Sequence, residues 1–264
     1  MKKQHVDSRD VCSVIGMPVD TLSWPTVLAR LSEWAPTKVS RYVCITNVHS
    51  VVTARQDPSF AEVIQGADMV TADGAPVAWL MRRTGVSGQQ RINGPDLMWY
   101  YCGEAAKRDE SIYLYGGQED TLETLKRRLL EHFPSLRIAG AYSPPFRKLT
   151  DAEDEAIVQA INDSGAGTVW VSLGCPKQER WMADHRGRIN ATMLGVGAAF
   201  DYHAGTLKRA PLWMQRCGLE WFNRLWDEPA RLWKRYLVTN SLFIFYAGRQ
   251  LITSRFKASA DSAG

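Results

Sequence analysis

Six blocks of this chain carry residue types suited to catalysis or ligand binding. Ala72-Asp73-Gly74 follows an apolar stretch, and a carboxylate there can act as a general base where no neighbour ties it up. The same block also reads as an Asp-Gly turn or a helix cap. Thr46-Asn47-Val48-His49 offers an amide to a ligand or an Asn cap to the next helix. In Arg91-Ile92-Asn93-Gly94-Pro95-Asp96, the arginine either pairs with Asp96 or faces a phosphate. Gly116-Gly117 lets backbone amides approach a phosphate or ribose at a helix start, or forms a plain tight turn. Gly174-Cys175-Pro176-Lys177-Gln178-Glu179 places Lys177, Gln178 and Glu179 in succession at a strand end, which packing alone does not explain, and Gln178 is favoured as functional. Gly195-Val196-Gly197 leads to Phe200-Asp201, with Phe200 where a dinucleotide-binding motif needs its third glycine, so that fingerprint is rejected.

No Asp-x-Asp occurs, and the five histidines show no metal-ligand spacing. Neither a metal nor an organic cofactor is therefore expected, and a bound diphosphate would need arginines to neutralise it. The five cysteines, Cys12, Cys44, Cys102, Cys175 and Cys217, are widely spaced and odd in number, which fits buried thiols in a reducing compartment.

Elements that can position these blocks alternate along the chain. β-branched and aromatic runs predict strands at residues 11–15, 42–46, 69–72, 112–115, 136–141, 168–173 and 192–196. Between them, helices are predicted at residues 25–33, 58–65, 75–82, 95–107, 119–132, 151–163 and 177–185. Asp57-Pro58 and Ser23 before Pro25 supply cap residues next to a first-turn proline, and Thr150 with Glu153 reads as a capping box. This alternation predicts an α/β fold with a largely parallel sheet, whose ligands sit beyond the carboxyl ends of its strands.

The composition changes near residue 207. Residues 207–264 hold ten Lys/Arg against four Asp/Glu, leaving 22 basic and 24 acidic residues before them. Trp213, Trp221, Trp226 and Trp233 are interleaved there with Arg209, Arg216, Arg224, Arg231, Lys234 and Arg235, which reads as two or three amphipathic helices. We divide the chain into an α/β core at residues 1–206 and a basic, Trp-rich helical appendage at 207–264. A membrane surface, a pyrophosphate or a nucleic acid would each complement that charge. The polar strand-end blocks of the core argue against a nucleic-acid binder or a plain adaptor, and the broken glycine motif argues against a nicotinamide-dependent sugar-nucleotide enzyme. The polar first ten residues contain no secretion signal, and the longest late apolar run, residues 242–247, falls short of the ~20 residues that span a bilayer. The expectation is a chain on the cytosolic side.

Taken in order, these blocks resemble the WecG/TagA/CpsF family of bacterial glycosyltransferases, glycosyltransferase family 26. The resemblance runs from about Val14 to Tyr246. It rests on Asp73-Gly74, on Arg91 with Gly94 and Asp96, on Pro176-Lys177-Gln178-Glu179 and on Gly195-Val196-Gly197 leading to Phe200-Asp201. It continues in Lys208-Arg209-Ala210-Pro211, Gly218-Leu219-Glu220-Trp221, Arg224-Leu225 and Glu228-Pro229 with Arg231. The resemblance implies a metal-independent, Rossmann-like core and inverting transfer from a UDP-sugar to an undecaprenyl-diphosphate-linked saccharide, in surface or exopolysaccharide biosynthesis. It also implies a peripheral position on the inner face of the cell membrane, with the appendage docking there and completing the site with arginines. Carried over by motif, Asp73 resembles the general base, Asn47 and Gln178 resemble pocket residues, and Arg209, Arg224 and Arg231 resemble contacts to a diphosphate or to the membrane. Relatives often have Thr two positions before the Asn, where this chain has Ile45, with Thr46 beside it. Thr46, Arg91, Asp96, Gly116, Gly117, Lys177, Glu179 and Asp201 complete the expected binding set. A core that needs its tail to close the pocket is also a candidate homo-oligomer.

Overall fold

The computed structural model describes residues 9–261. Most of the N-terminal stretch read for a signal therefore lies outside the described residues, as do residues 262–264 and the side chains of Arg216 and of residues 255–261. The chain begins with β1 (Val11–Val14) and β2 (Met17–Asp20), then α1 (Trp24–Trp34), β3 (Arg41–Thr46), α2 (Val48–Gln56) and α3 (Pro58–Gln65). Next come β4 (Met69–Ala72), α4 (Ala75–Arg83), α5 (Gly94–Lys107), β5 (Ser111–Gly116), α6 (Glu119–His132) and β6 (Arg137–Tyr142). The core closes with α7 (Asp151–Asp163), β7 (Thr168–Ser172), α8 (Lys177–Asp184), β8 (Thr192–Gly195) and α9 (Ala199–Ala204).

β3 to β8 form one parallel sheet in the order β4-β3-β8-β7-β5-β6. Both faces are covered, which is why the strands read as unbroken apolar runs. Alternation assigns Tyr42 and Cys44 of β3 to one face and Val43 and Ile45 to the other. The first face packs on α2, α3, α4, α7 and α8; the second packs on α1, α5, α6 and α9. The expected caps are present. Asp57 caps α3, Ser23 caps α1, and Thr150 forms a reciprocal capping box with Glu153 at α7.

The strand predicted at residues 11–15 does not join this sheet. It pairs antiparallel with β2 in a two-stranded hairpin, turning through Ile15 and Gly16, both at positive φ. The hairpin guards the edge strand β4. Asp20 accepts the Val70 amide at 2.5 Å and is held by Arg9 at 2.7 Å.

Three helices follow the core: α10 (Leu212–Arg216), α11 (Glu220–Asp227) and the 33-residue α12 (Pro229–Asp261). α12 packs back on α2 through Phe243 and Ala247, and α11 packs on α12. The four tail tryptophans do not join the core. Trp213, Trp221, Trp226 and Trp233 are all exposed, Trp226 to 78%. Among the described residues, no helix is long and apolar enough to cross a membrane.

Candidate functional site

β3 and β4 end level, because Thr46 pairs with Ala72 and the Asp73 amide donates to the Thr46 carbonyl at 2.9 Å. Asn47 and Asp73 therefore leave adjacent strands side by side. Both open into a cleft of about 2230 Å³ at the carboxyl edge of the sheet. The cleft is also walled by the β5–α6 and β7–α8 turns, by residues 144–149, and by α11 and α12.

Asp73 keeps 21% of its side chain exposed to this cleft and is otherwise enclosed by protein. Burial pushes its carboxyl up to about 6; Arg91 and Arg209 oppose that push and Glu220 reinforces it. Arg91 donates through Nε to the Asp73 carbonyl and approaches Asp73 Oδ1 with Nη2 at 3.3 Å. The same Nη2 meets Glu220 of α11. Arg91 does not pair with Asp96, the structural alternative raised by their spacing. Asp96 instead receives Arg209, with Nη2 2.9 Å from Oδ2 and Nη1 on Oδ1, and it packs against the cap residue Asn93. Arg209 also lies 3.5 Å from Glu220. The result is an alternating chain of charges, Asp73, Arg91, Glu220, Arg209 and Asp96, that fastens the appendage to the core. Arg209 and Asp96 stand outside the cleft lining, one layer behind Arg91.

Arg224 and Arg231 do line the cleft, and both pair with Glu228, at 3.2 Å for Arg224. Arg224 also stacks over Tyr202 at 5.7 Å. Asp201 lines the cleft beside them; burial raises its carboxyl, and Thr206 bonds its backbone carbonyl.

Asn47 both caps α2 and lines the cleft. Its Oδ1 accepts the Ser50 amide at 3.2 Å, in a reciprocal box with the Ser50 hydroxyl. Thr46 does not reach the cleft, because its hydroxyl is buried on the Thr71 carbonyl at 2.8 Å. The glycine pair also departs from the expectation of free amides. The Gly117 amide is spent on the Ser172 carbonyl at 3.0 Å, although Gly117 lines the cleft. Gly116 lies outside the lining and is glycine for steric reasons: its φ is +108°, and a Cβ there would stand 2.4 Å from the Ser172 carbonyl oxygen.

Gln178 is a fixed strut. Its Oε1 accepts the Gly197 amide at 3.0 Å, and its Nε2 donates to Glu179 at 2.9 Å. Glu179 is 1% exposed, and its Oε2 has no partner among the described residues. Burial raises its carboxyl, so it favours the protonated form more than an ordinary glutamate. Lys177, exposed at the start of α8, lines the cleft without a carboxylate partner among the described residues. No group of three His, Cys, Asp or Glu side chains among the described residues is placed to hold a metal ion.

Three cleft residues escape a reading of the sequence. Glu220 is visible there only as one of four acids in a basic, aromatic segment. His49 sits on the first turn of α2, and its pKa is lowered to about 4, chiefly by burial and then by Arg235. Arg235 lines the opposite wall from α12. Nothing in the local spacing of these three marks them as neighbours of Asp73 or of each other.

The model of the glycosyl transferase WecG/TagA/CpsF family matches residues 12–257. The chain belongs to this family. It is also 32% identical over 202 residues, 76% of either chain, to the N-acetylglucosaminyldiphosphoundecaprenol N-acetyl-beta-D-mannosaminyltransferase of Bacillus subtilis (strain 168). The protein is thus a glycosyltransferase of the WecG/TagA/CpsF family. Around one cleft it carries Asp73, Arg91 and, from its C-terminal helices, Arg224, Arg231 and Arg235.

Proposed function

We propose that this glycosyltransferase moves a sugar from a UDP-sugar to a saccharide on a polyprenyl diphosphate, with inversion at the anomeric carbon and without a metal ion. The work is done at the inner face of the bacterial membrane, in assembly of a surface or exopolysaccharide. The observation that carries the reading is Asp73, a carboxyl with raised proton affinity facing a cleft that appendage arginines also line. The acceptor named in the B. subtilis relative, a sugar on a diphosphoundecaprenol, is of the same class.

In this reading Asp73 takes the proton of the acceptor hydroxyl while that oxygen attacks the anomeric carbon. The bond from that carbon to the diphosphate breaks, and UDP departs with the electron pair from the opposite face. A carboxyl with a pKa of about 6 is mostly ionised at neutral pH and still binds a proton better than an ordinary aspartate. Guanidinium groups of Arg91, Arg224 and Arg231 stabilise the charge gathering on the leaving diphosphate. Asn47 and Lys177 orient the donor, and the tail tryptophans and basic residues hold the enzyme on an anionic membrane surface.

The test is a transfer assay that offers UDP-sugars with an N-acetylglucosaminyl-diphospho-polyprenol of short chain. The expected result is a disaccharide lipid whose new linkage has the opposite anomeric configuration to the donor, read by NMR. A product with retained configuration, or no UDP binding by calorimetry, rejects the proposal.

A further inference from the structure

α4 starts directly after Asp73, with Gly74 as its cap residue, and one side of it faces the cleft. That side consists of Ala75, Pro76, Trp79 and Arg82, whose spacing of three and four residues is that of a single helical face. Trp79 lies four residues, about 6 Å of helix rise, beyond Ala75. Its side chain is 41% exposed, although Val77, Ala78, Leu80 and Met81 around it in sequence are buried. Arg83 lies over the indole at 5.8 Å from the ring centroid but is not among the residues of the cleft wall, so it leaves the side turned to the cleft uncovered.

Polar groups close both ends of this strip. At the inner end, Gly218 (φ +73°) brings the turn before α11 against α4, where a Cβ would stand 2.8 Å from that of Ala75. The same turn sets Glu220 beside Arg91 and Asp73. At the outer end, Arg82 donates through Nη1 to the Gln89 carbonyl at 2.7 Å. A ligand that matches has an apolar ring face and a polar rim, as a pyranose does with its axial C–H bonds and its ring of hydroxyls. A prenyl chain would leave the polar ends without partners. Phe146 is the other exposed core aromatic on the cleft among the described residues, but it follows β6. β4 and β6 are the two edges of the sheet, five strand spacings or about 24 Å apart, so Phe146 does not share a ring with Asp73.

We propose that Trp79, with Pro76, is the platform on which the saccharide of the acceptor lies while Asp73 takes the proton of its hydroxyl. This assignment rests on the acceptor class proposed above. A planar nucleobase would stack on an indole too, but the hydroxyl that meets Asp73 belongs to the acceptor, and so does the ring that carries it. Trp79 then makes the enzyme select a sugar-bearing prenyl diphosphate over a bare one, through a core residue that neither binds the diphosphate nor belongs to the appendage.

The experiment titrates the full chain by calorimetry with N-acetylglucosaminyl-diphospho-farnesol, with farnesyl diphosphate, which lacks the sugar, and with UDP. Wild type should bind the sugar-bearing lipid more tightly than the bare one. Trp79→Ala should weaken the sugar-bearing lipid about fivefold or more, the loss of one aromatic contact, and leave farnesyl diphosphate and UDP within about twofold. Trp79→Phe keeps a ring and should bind the sugar-bearing lipid within about threefold of wild type. Melting temperatures of both variants show whether any loss comes from the fold, and Trp79→Phe carries the test where Trp79→Ala is unstable. Equal losses of the two lipids in Trp79→Ala would place the ring against the chain or the diphosphate, and a matching loss of UDP would place it in the donor site. Either result overturns the assignment, as does undiminished binding of the sugar-bearing lipid or a wild type that does not distinguish the two lipids. These readouts need no glycosyl transfer, so a failed transfer assay rejects the proposed function while the titrations still decide the platform.

Discussion

Arg91 grips Asp73 with its Nε and Nη2 and meets Glu220 with that same Nη2, so the appendage reaches the candidate base through a single guanidinium. Glu220 draws on positive charge that would otherwise act on Asp73, and it raises the proton affinity of that carboxyl. In Glu220→Gln, Arg91 turns more of its charge to Asp73. The acidic limb of kcat/KM, set by ionisation of Asp73 near pH 6 in the parent, should move to lower pH. The plateau should drop by roughly three- to tenfold because the base is weaker. Rate profiles between pH 4.5 and 8 on the two proteins check this, and an unmoved limb refutes it.

Replacing Asp73 by Asn removes the base and keeps the shape. Transfer should fall by ~10²–10⁴ while UDP binding stays near wild type. Stability should move the other way. The folded carboxyl titrates near 6, above its ordinary value of 3.8, so the folded state binds more protons between those two values. Wild-type stability contributed by this group is therefore greatest below about pH 4 and is lost as pH rises through about 6. Asp73→Asn escapes that loss. Its melting temperature should exceed that of the parent at pH 7.5 and converge on it near pH 4, as scanning calorimetry would record.

Gln178 lines the cleft and bridges two turns at the sheet edge, and a mechanical role for it makes a prediction. Gln178→Ala strips the Gly197 amide of its acceptor and Glu179 of the Gln178 amide donor. The expected cost is about 1–3 kcal/mol in denaturant unfolding, the penalty for a polar group left unsatisfied near the core. Equal stability of variant and parent would return Gln178 to the ligand-contact role its sequence position suggested.

The α/β class and the carboxyl-edge location of the site were legible because parallel strands buried on both faces leave continuous apolar runs, and polar residues after such runs have few packing reasons to be there. Asp73, Asn47 and Arg91 were singled out in that way, and all three line the cleft. Thr46 was misplaced because the last residue of a strand and the first residue beyond it differ by one position, and the Thr46 hydroxyl stays inside the sheet on Thr71. Gly116 was legible as a glycine that matters, but its reason, the Ser172 carbonyl of a strand more than fifty residues later, is a contact that no local pattern encodes. The first hairpin was read as a sheet strand because residues 11–15 carry β propensity, and propensity does not name a pairing partner. Glu220 and Arg235 were hidden for a related reason. Charges in a basic helix look like a solvated face until the helix is folded over a cleft.

Membrane docking is a second, separable role proposed for the appendage. Trp213 and Trp226 are exposed on α10 and α11, away from the sheet, where an aqueous surface gives such rings no compensation. If they enter the headgroup zone, the Trp213→Ala, Trp226→Ala double variant should lose about tenfold or more of its partition onto phosphatidylglycerol vesicles. Lys234→Gln should lose about fivefold, the equivalent of roughly 1 kcal/mol for one cation near anionic lipid. The two effects separate by salt. Raising ionic strength should erase much of the Lys234 effect and leave the tryptophan effect in place, because screening acts on charge and not on apolar burial. Vesicle flotation of the full-length variants at low and high salt measures both. Unchanged flotation of the tryptophan variant at either salt removes the aromatic face from the docking surface.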